Sequence, residues 1–226
     1  MLFRSVAVDI SRSALAQCAD QLAEAYPRVR IEAICADYTR GLQLPEPAGI
    51  RAKRRVIYFP GSTIGNFTPE EALQFLREAR VVAGAGGAML VGVDLKKDPA
   101  RLHAAYNDAQ GVTANFNLNL LERINRELDG TIPVEDFRHR AIWNDDRARI
   151  EMHLEAMRDA AFEVDGRDFS IAAGETIHTE NSHKYGARDA RILLRGGGWT
   201  PVKEWTDEEE RFAVILAEAQ AERVAP

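Results

Sequence analysis

Apolar residues recur at two different periods along this chain, and the change of period divides it. Residues 5–10 form a short apolar run that meets an acid at Asp9. Ser11 then suits a helix N-cap. Leu15, Cys18, Leu22 and Ala25 recur at three- and four-residue spacing, which predicts a helix over 14–26 that Pro27 stops. A second apolar run, 30–36, again meets an acid, Asp37. A third, 56–59, precedes a helix over 69–82, and a fourth, 89–93, ends in Asp94. Near-continuous apolar strands alternating with helices predict a parallel sheet covered on both faces. The glycine turns at 84–87 and 196–198 stand before strands rather than after them, so they read as helix C-caps and not as phosphate loops.

Residues 99–128 keep a helical period, broken near Gly111. From Phe137 to Tyr185 the pattern shortens to alternating segments at 149–154, 161–164 and 169–172, separated by turns at Asn144-Asp-Asp and Asp165-Gly166. That predicts a small, mostly antiparallel insertion. A helix over 187–195, a strand near 200–205 and a last strand over 211–217 follow, the final two joined by a link short enough for a hairpin. The expected organisation is an α/β sheet domain over 1–98 and 187–226, interrupted over 99–186 by a helical linker and a β-rich substrate-binding insertion.

The stretch Tyr58-Phe-Pro-Gly-Ser-Thr-Ile-Gly-Asn-Phe67 carries the first chemistry. It is a strand, then a Gly/Ser/Thr/Asn loop, then a capped helix. An open α/β sheet places its ligands there, outside the carboxyl ends of its strands. Gly61 and Gly65 suit close backbone approach and unusual φ, while Ser62, Thr63 and Asn66 bring short hydrogen-bonding groups. A capped turn with no ligand is the plain alternative. A doubly wound nucleotide-binding sheet normally opens with a strand and a Gly-rich loop, followed about 20 residues later by an acid for the ribose. Here the first strand already carries that acid, so the sheet's central strand is expected to be absent. The chain then reads as a piece of a longer reading frame, or as one completed by another segment. Two strand edges are left unpaired unless the strand at 5–10 slides across to 56–59.

Charge and composition narrow the partners. With 226 residues, 46% hydrophobic and 28% charged, the chain has an ordinary globular core, and a net charge of −6 argues against nucleic acid or an anionic membrane. The basic run Arg51-Ala-Lys-Arg-Arg55 reads as a solvated loop. The longest weakly apolar run, 81–93, is too short and too rich in glycine to span a bilayer. No signal-peptide pattern opens the chain, and Cys18 and Cys35 read as small core residues of a protein in a reducing, cytoplasmic setting.

Several motifs in order resemble the histidine-specific methyltransferase family. They are Val8-Asp-Ile-Ser11, Asp37-Tyr-Thr39, Phe59-Pro-Gly-Ser-Thr-Ile-Gly-Asn-Phe67, Val91-Gly-Val-Asp-Leu95, Ala105-Tyr-Asn-Asp-Ala-Gln-Gly-Val-Thr113, Phe116–Leu128, Arg149-Ile-Glu-Met-His-Leu154 and Gly174–Tyr185. The resemblance implies a class I methyltransferase (Rossmann-like) sheet lacking its first strand and Gly-rich loop. It implies S-adenosylmethionine as cofactor, S-adenosylhomocysteine as product, and L-histidine Nα-methylation in ergothioneine biosynthesis. It further implies a monomer when full-length.

By the same resemblance, Asp9 binds the ribose hydroxyls and Asp37 with Tyr38 contacts the adenine. Gly61 and Asn66 floor the amino-acid site, Asn66 and Tyr106 serve the substrate carboxylate, and either could orient the amine. Glu180 and Ser182 recognise the imidazole, and Met152 lines the pocket. Alternation puts Glu180 and Ser182 on one strand face. The bland readings are helix-capping aspartates, a core tyrosine and a core methionine. His178-Thr-Glu-Asn-Ser-His183 matches metal-ligand spacing only weakly, so no metal is expected. His103, His139 and His153 read as surface or structural residues. Two other functions remain open: methylation of a different amine or amino acid, and a non-catalytic binding module.

Overall fold

The computed structural model describes residues 4–42, 44 and 53–221. The first three elements are β1 (Arg4–Asp9), α1 (Arg12–Ala25) and β2 (Arg30–Cys35), with β1 and β2 parallel from Arg4↔Arg30 to Asp9↔Cys35. Ser11 caps α1 by accepting from the Ala14 N–H at 3.4 Å. Next come β3 (Val56–Phe59), α2 (Pro69–Ala83) and β4 (Ala88–Asp94). β3 runs parallel to β4. The chain's last elements, α5 (Ala187–Gly196), β10 (Trp199–Thr206) and β11 (Phe212–Ala219), complete a four-stranded sheet ordered β10-β11-β4-β3, with the predicted hairpin antiparallel.

Local sequence explains why α2 forms and where it points. Thr68 and Glu71 make a reciprocal capping box, Pro69 opens the first turn, and Gly84 at φ 72° closes the helix. Its buried face, Ala72, Phe75, Leu76, Ala79 and Ala83, recurs at three- and four-residue spacing. That face packs on Met89, Val91 and Val93 of β4, Ile215 and Ala217 of β11, and Trp199. The buried Trp199 indole donates to the Leu76 carbonyl at 2.8 Å, so the core holds its polar atom satisfied.

Four expectations change. Among the described residues β1 pairs with β2 alone and β3 with β4 alone, so the strand at 5–10 does not slide across to 56–59. Coverage on both faces holds for β4 and β11 but not for β3, where Val56 and Tyr58 are 57% and 70% exposed beside an unpaired edge. Cys18 and Cys35 are exposed rather than core, because α1 buries only Leu15 and β2, paired with β1 in a two-stranded sheet, buries none of its residues fully. The basic run is partly anchored: Arg54 pairs with Glu218 at 2.8 Å and Arg55 donates to the Val82 carbonyl at 3.0 Å, while its positions 51 and 52 lie outside the described residues.

Between β4 and α5 the chain makes a second layer. α3 (Pro99–Tyr106) and α4 (Val112–Glu127) precede an antiparallel sheet of β5 (Phe137–Asn144), β6 (Arg149–Ala156) and β9 (Thr176–His183). A hairpin of β7 (Ala160–Val164) and β8 (Arg167–Ile171) projects from it. One apolar cluster, Leu121, Ile132, Phe137, Leu154 and Ala156, lies under α4, and another, Leu102, Ala141, Ile150 and Met152, lies under α3.

The two layers meet where β9 runs out. Tyr185 bridges to Leu95, its N–H donating to the Asp94 carbonyl at 2.9 Å and its carbonyl accepting from Lys96 at 3.0 Å. The His183 Nδ1 lies 2.9 Å from the Gly65 carbonyl, so it carries the proton and donates. A Cβ on Gly65 would stand 2.9 Å from the His183 carbonyl, so this close approach requires glycine.

Two outcomes follow from these contacts. A Cβ at Gly92 would lie 1.8 Å from the Pro60 carbonyl, whereas at Gly61 the nearest atom is 3.7 Å away. In urea unfolding, Gly92→Ala is expected to cost about 1–3 kcal/mol or more, and Gly61→Ala within about 0.5 kcal/mol of zero. Burial holds the His183 imidazole below its ordinary value of 6.5. The unfolded chain therefore binds the proton first, and this stabilisation is complete above pH 6.5 and lost as the pH falls below it. Between about pH 8 and about pH 5 the wild-type protein should lose more of its Tm than His183→Gln. Equal losses would remove His183 from that role.

Candidate active site

The cluster of polar groups at the seam begins with Asp94, the last residue of β4. Its N–H donates to Ser62 Oγ at 2.8 Å, and Ser62 holds the left-handed φ of 59°. Asp94 Oδ1 accepts from Lys97 Nζ at 2.6 Å and Oδ2 from Lys184 Nζ at 2.7 Å. The Lys184 side chain has no exposed surface. Its remaining donors reach Ser182 Oγ at 2.7 Å and Tyr106 Oη at 2.8 Å. Those two hydroxyls lie 2.8 Å apart, and the ammonium stands 4.7 Å from the Tyr106 ring centre.

Each of these side chains is aimed by a strand or a helix end. In the β5-β6-β9 register Met152 opposes both Ala141 and Glu180, and Ile150 opposes Trp143 and Ser182. Directly opposed residues share a face, so Glu180, Ser182 and Met152 line the same side. Met152 is 4% exposed and packs with Tyr106 and Trp143. Tyr106 closes α3. It is held by His139, whose Nε2 lies 2.8 Å from the Tyr106 carbonyl. The Asn107 amide beside it pairs with the Ala141 backbone in both directions, at 3.1 Å each. Asn66 ends the short 3₁₀ turn Thr63–Asn66 and faces Glu180. Burial pushes the Glu180 carboxyl up, while Lys184 and the Asn66 side chain pull it back. Gly61 is exposed at the start of the same loop.

The other three predicted residues gather at the ends of β1 and β2. Tyr38 packs edge-on against Phe59 and Phe75, with ring centres 5.9 Å and 6.1 Å away. Burial, then the charges of Asp9 and Asp37, push its hydroxyl up. Both acids cap a turn rather than a helix, because Ser11 is the N-cap of α1 and no helix follows Asp37 before β3 among the described residues. Asp9 Oδ1 accepts from Ser11 N at 2.7 Å, and Asp37 Oδ1 accepts from the Thr39 N–H and hydroxyl at 2.9 Å and 2.6 Å. Hydrogen bonding from Thr39 holds Asp37 below the usual carboxylate range. Each acid keeps its second oxygen off the cap, Asp37 Oδ2 meeting Arg40 at 3.1 Å. Strand-end carboxylates beside an aromatic edge are an acceptor set that fits the hydroxyls of a ribose and the face of an adenine.

Sequence reasoning missed Lys184 and Asp94. A signal existed: Glu180, Ser182 and Lys184 continue one alternation, and β4 ends in an acid. The unusual φ expected at Gly61 or Gly65 belongs to Ser62 instead. The weak metal motif is dispersed, because a bulge between Met152 and His153 leaves Thr179 unpaired and puts His178 on the face opposite Glu180. On that opposite face Glu151, His153 and His178 come together, a grouping the sequence reading did not contain. Glu151 Oε1 is taken by Arg149 and Asn144, Oε2 lies 3.5 Å from His153 Nε2, the two imidazoles stack at 4.6 Å and 16°, and one ligand atom from each of the three residues lies within 4.8 Å of the others. No helix among the described residues is long and apolar enough to cross a membrane.

Comparison with known proteins agrees with this geometry. Residues 3–219 match the family described as histidine-specific methyltransferase, SAM-dependent. The histidine N-alpha-methyltransferase of Mycobacterium tuberculosis is 40% identical over 219 residues, covering 96% of this chain and 67% of that protein. Ergothioneine biosynthesis protein 1 of Neurospora crassa is 31% identical over 95% of this chain and 24% of its own length. A solved S-adenosylmethionine-dependent methyltransferase from Clostridium acetobutylicum shares the fold at a TM-score of 0.51 and 11% identity, over 96% of this chain and 76% of its own. This chain belongs to the S-adenosylmethionine-dependent, histidine-specific methyltransferase family.

Proposed function

We propose that this chain methylates the α-amino group of L-histidine. The observation that carries the reading is the placement of Glu180 and Ser182 on one strand face, opposed by Met152 and met by Asn66 from the β3–α2 loop. A carboxylate accepts one ring N–H while a hydroxyl serves the other nitrogen, and an apolar pocket has neither group. Asn66 and Tyr106 serve the substrate carboxylate, Gly61 lies in the loop that floors the site, and Asp9, Asp37 and Tyr38 hold the cofactor. S-adenosylmethionine supplies a sulfonium-activated methyl group when bound.

What the protein must then provide is a neutral amine, held in line and away from water. An α-amino group has a pKa near 8, so freeing it of its proton at neutral pH costs about 1–3 kcal/mol. Correct positioning contributes about 7–11 kcal/mol, which outweighs that cost without a strong base. Asn66 and Tyr106 are the groups placed to orient the amine. The proposed partner is a small-molecule amino acid rather than nucleic acid or a membrane surface.

A non-catalytic binding module is the second reading, favoured by the edges of β1 and β3 that have no partner strand among the described residues. Two measurements separate the readings. Calorimetric titration with S-adenosylhomocysteine should show saturable heat, and Glu180→Ala should lower kcat/KM for histidine about 10–100-fold while that heat persists. Unchanged histidine turnover in Glu180→Ala would refute the ring assignment, and absence of both heat and turnover would favour the module.

A further inference from the structure

We propose that Lys184 is a positioning residue that turns Tyr106 and Ser182 into outward-facing hydrogen-bond donors. The site then selects a ring with a bare nitrogen opposite Ser182. This rests on the histidine reading above and deepens it.

The argument is a count of hydrogens. An ammonium has three and accepts none. Those of Lys184 go to Asp94 Oδ2 at 2.7 Å, Ser182 Oγ at 2.7 Å and Tyr106 Oη at 2.8 Å. Each hydroxyl oxygen therefore already accepts one bond, and neither hydroxyl hydrogen can return to the lysine. Among the described residues neither hydroxyl bonds to Asp94, whose two oxygens take Lys184 at 2.7 Å and Lys97 at 2.6 Å. Without a ligand the two hydroxyls share a single hydrogen across 2.8 Å. A ligand that opens this contact meets two O–H donors, one from Tyr106 and one from Ser182.

Histidine matches that polarity in one protonation state. Its carboxylate accepts from Tyr106. Its neutral ring gives an N–H to Glu180 and takes the Ser182 hydrogen on the bare nitrogen. A ring protonated on both nitrogens offers Ser182 nothing to donate to, and it faces a buried ammonium 2.7 Å behind that oxygen. Because Lys184 is fully enclosed and anchored to Asp94 on the other sheet, it cannot swing aside to relax the pattern.

The test compares histidine with the two pyrrolylalanines. Each keeps a ring N–H and replaces one imidazole nitrogen by C–H. The complete wild-type protein should favour histidine over the better analogue by tenfold or more in kcat/KM. Lys184→Met should raise the histidine KM more than it lowers kcat, and should shrink that preference by about tenfold. Ser182→Ala should shrink it equally, and adding Lys184→Met to Ser182→Ala should change it little, because the two act as one unit. If Lys184→Met does not fold, Asp94→Asn weakens the anchor with the lysine still present, and a smaller loss of preference is expected. A folded Lys184→Met or Asp94→Asn that keeps the wild-type preference overturns the inference and leaves the function standing. A wild-type protein that neither binds nor methylates histidine overturns the function and the inference with it.

Discussion

The buried ion pair between Lys184 and Asp94 decides how the two sheets meet. Taking an ammonium and a carboxylate out of water is costly, and their attraction offsets that only when every remaining donor and acceptor is satisfied. Here it is: the lysine reaches three oxygens, and both Asp94 oxygens are used. Asp94 keeps Lys97 if Lys184 is lost, but without Asp94 the enclosed ammonium has no counter-charge, so the arrangement tolerates little adjustment. β9 consequently arrives at the end of β4 in one register, extended by the Tyr185 bridge to Leu95 and by His183 on the Gly65 carbonyl.

That junction also explains why the polar groups collect where they do. Open α/β sheets place ligands beyond the carboxyl ends of their strands, and Asp94, the Ser62 turn and Asn66 all lie at such ends. The inserted layer brings the complementary half: Glu180, Ser182 and Met152 from a strand face, and Tyr106 from a helix end fixed by His139 and Asn107. Asn66 comes from the first layer, and Tyr106, Glu180, Ser182 and Met152 come from the second, so the full set assembles only where the layers meet. The site is a property of the seam.

The repeating elements were legible because their periods are strong. Leu15 to Ala25, the α2 face and the 149–154 alternation all gave the elements observed. Burial was less legible, since it depends on what pairs with a strand and not on the strand's own residues. Tyr58 and Val56 look like core yet stand beside an open edge. β5 escaped notice although Phe137, His139, Ala141 and Trp143 alternate, because arginines and a histidine interrupt its apolar character. In the site, Glu180, Ser182 and Lys184 continue one alternation, but that pattern does not by itself place Lys184 inside. Lysine is nearly always a surface residue, and only the three-dimensional placement of Asp94, from a strand 90 positions earlier in the chain, gives its charge a partner.

The histidine-to-metal comparison shows the same dependence on register. Two residues apart on a regular strand, His178 and Glu180 would share a face. One bulge at Thr179 separates them, sending Glu180 to the cluster around Lys184 and His178 to a stack on His153. The Thr179 hydroxyl donates to the Met152 carbonyl at 3.0 Å, which satisfies an acceptor where the ladder is interrupted and so holds the bulge in place. A strand without it would turn Ser182 and Lys184 to the opposite face whenever His178 kept its own. The chemistry of the site therefore rests on an irregularity that residue spacing alone conceals, and the same irregularity keeps the His178 imidazole away from the cluster proposed to bind an imidazole.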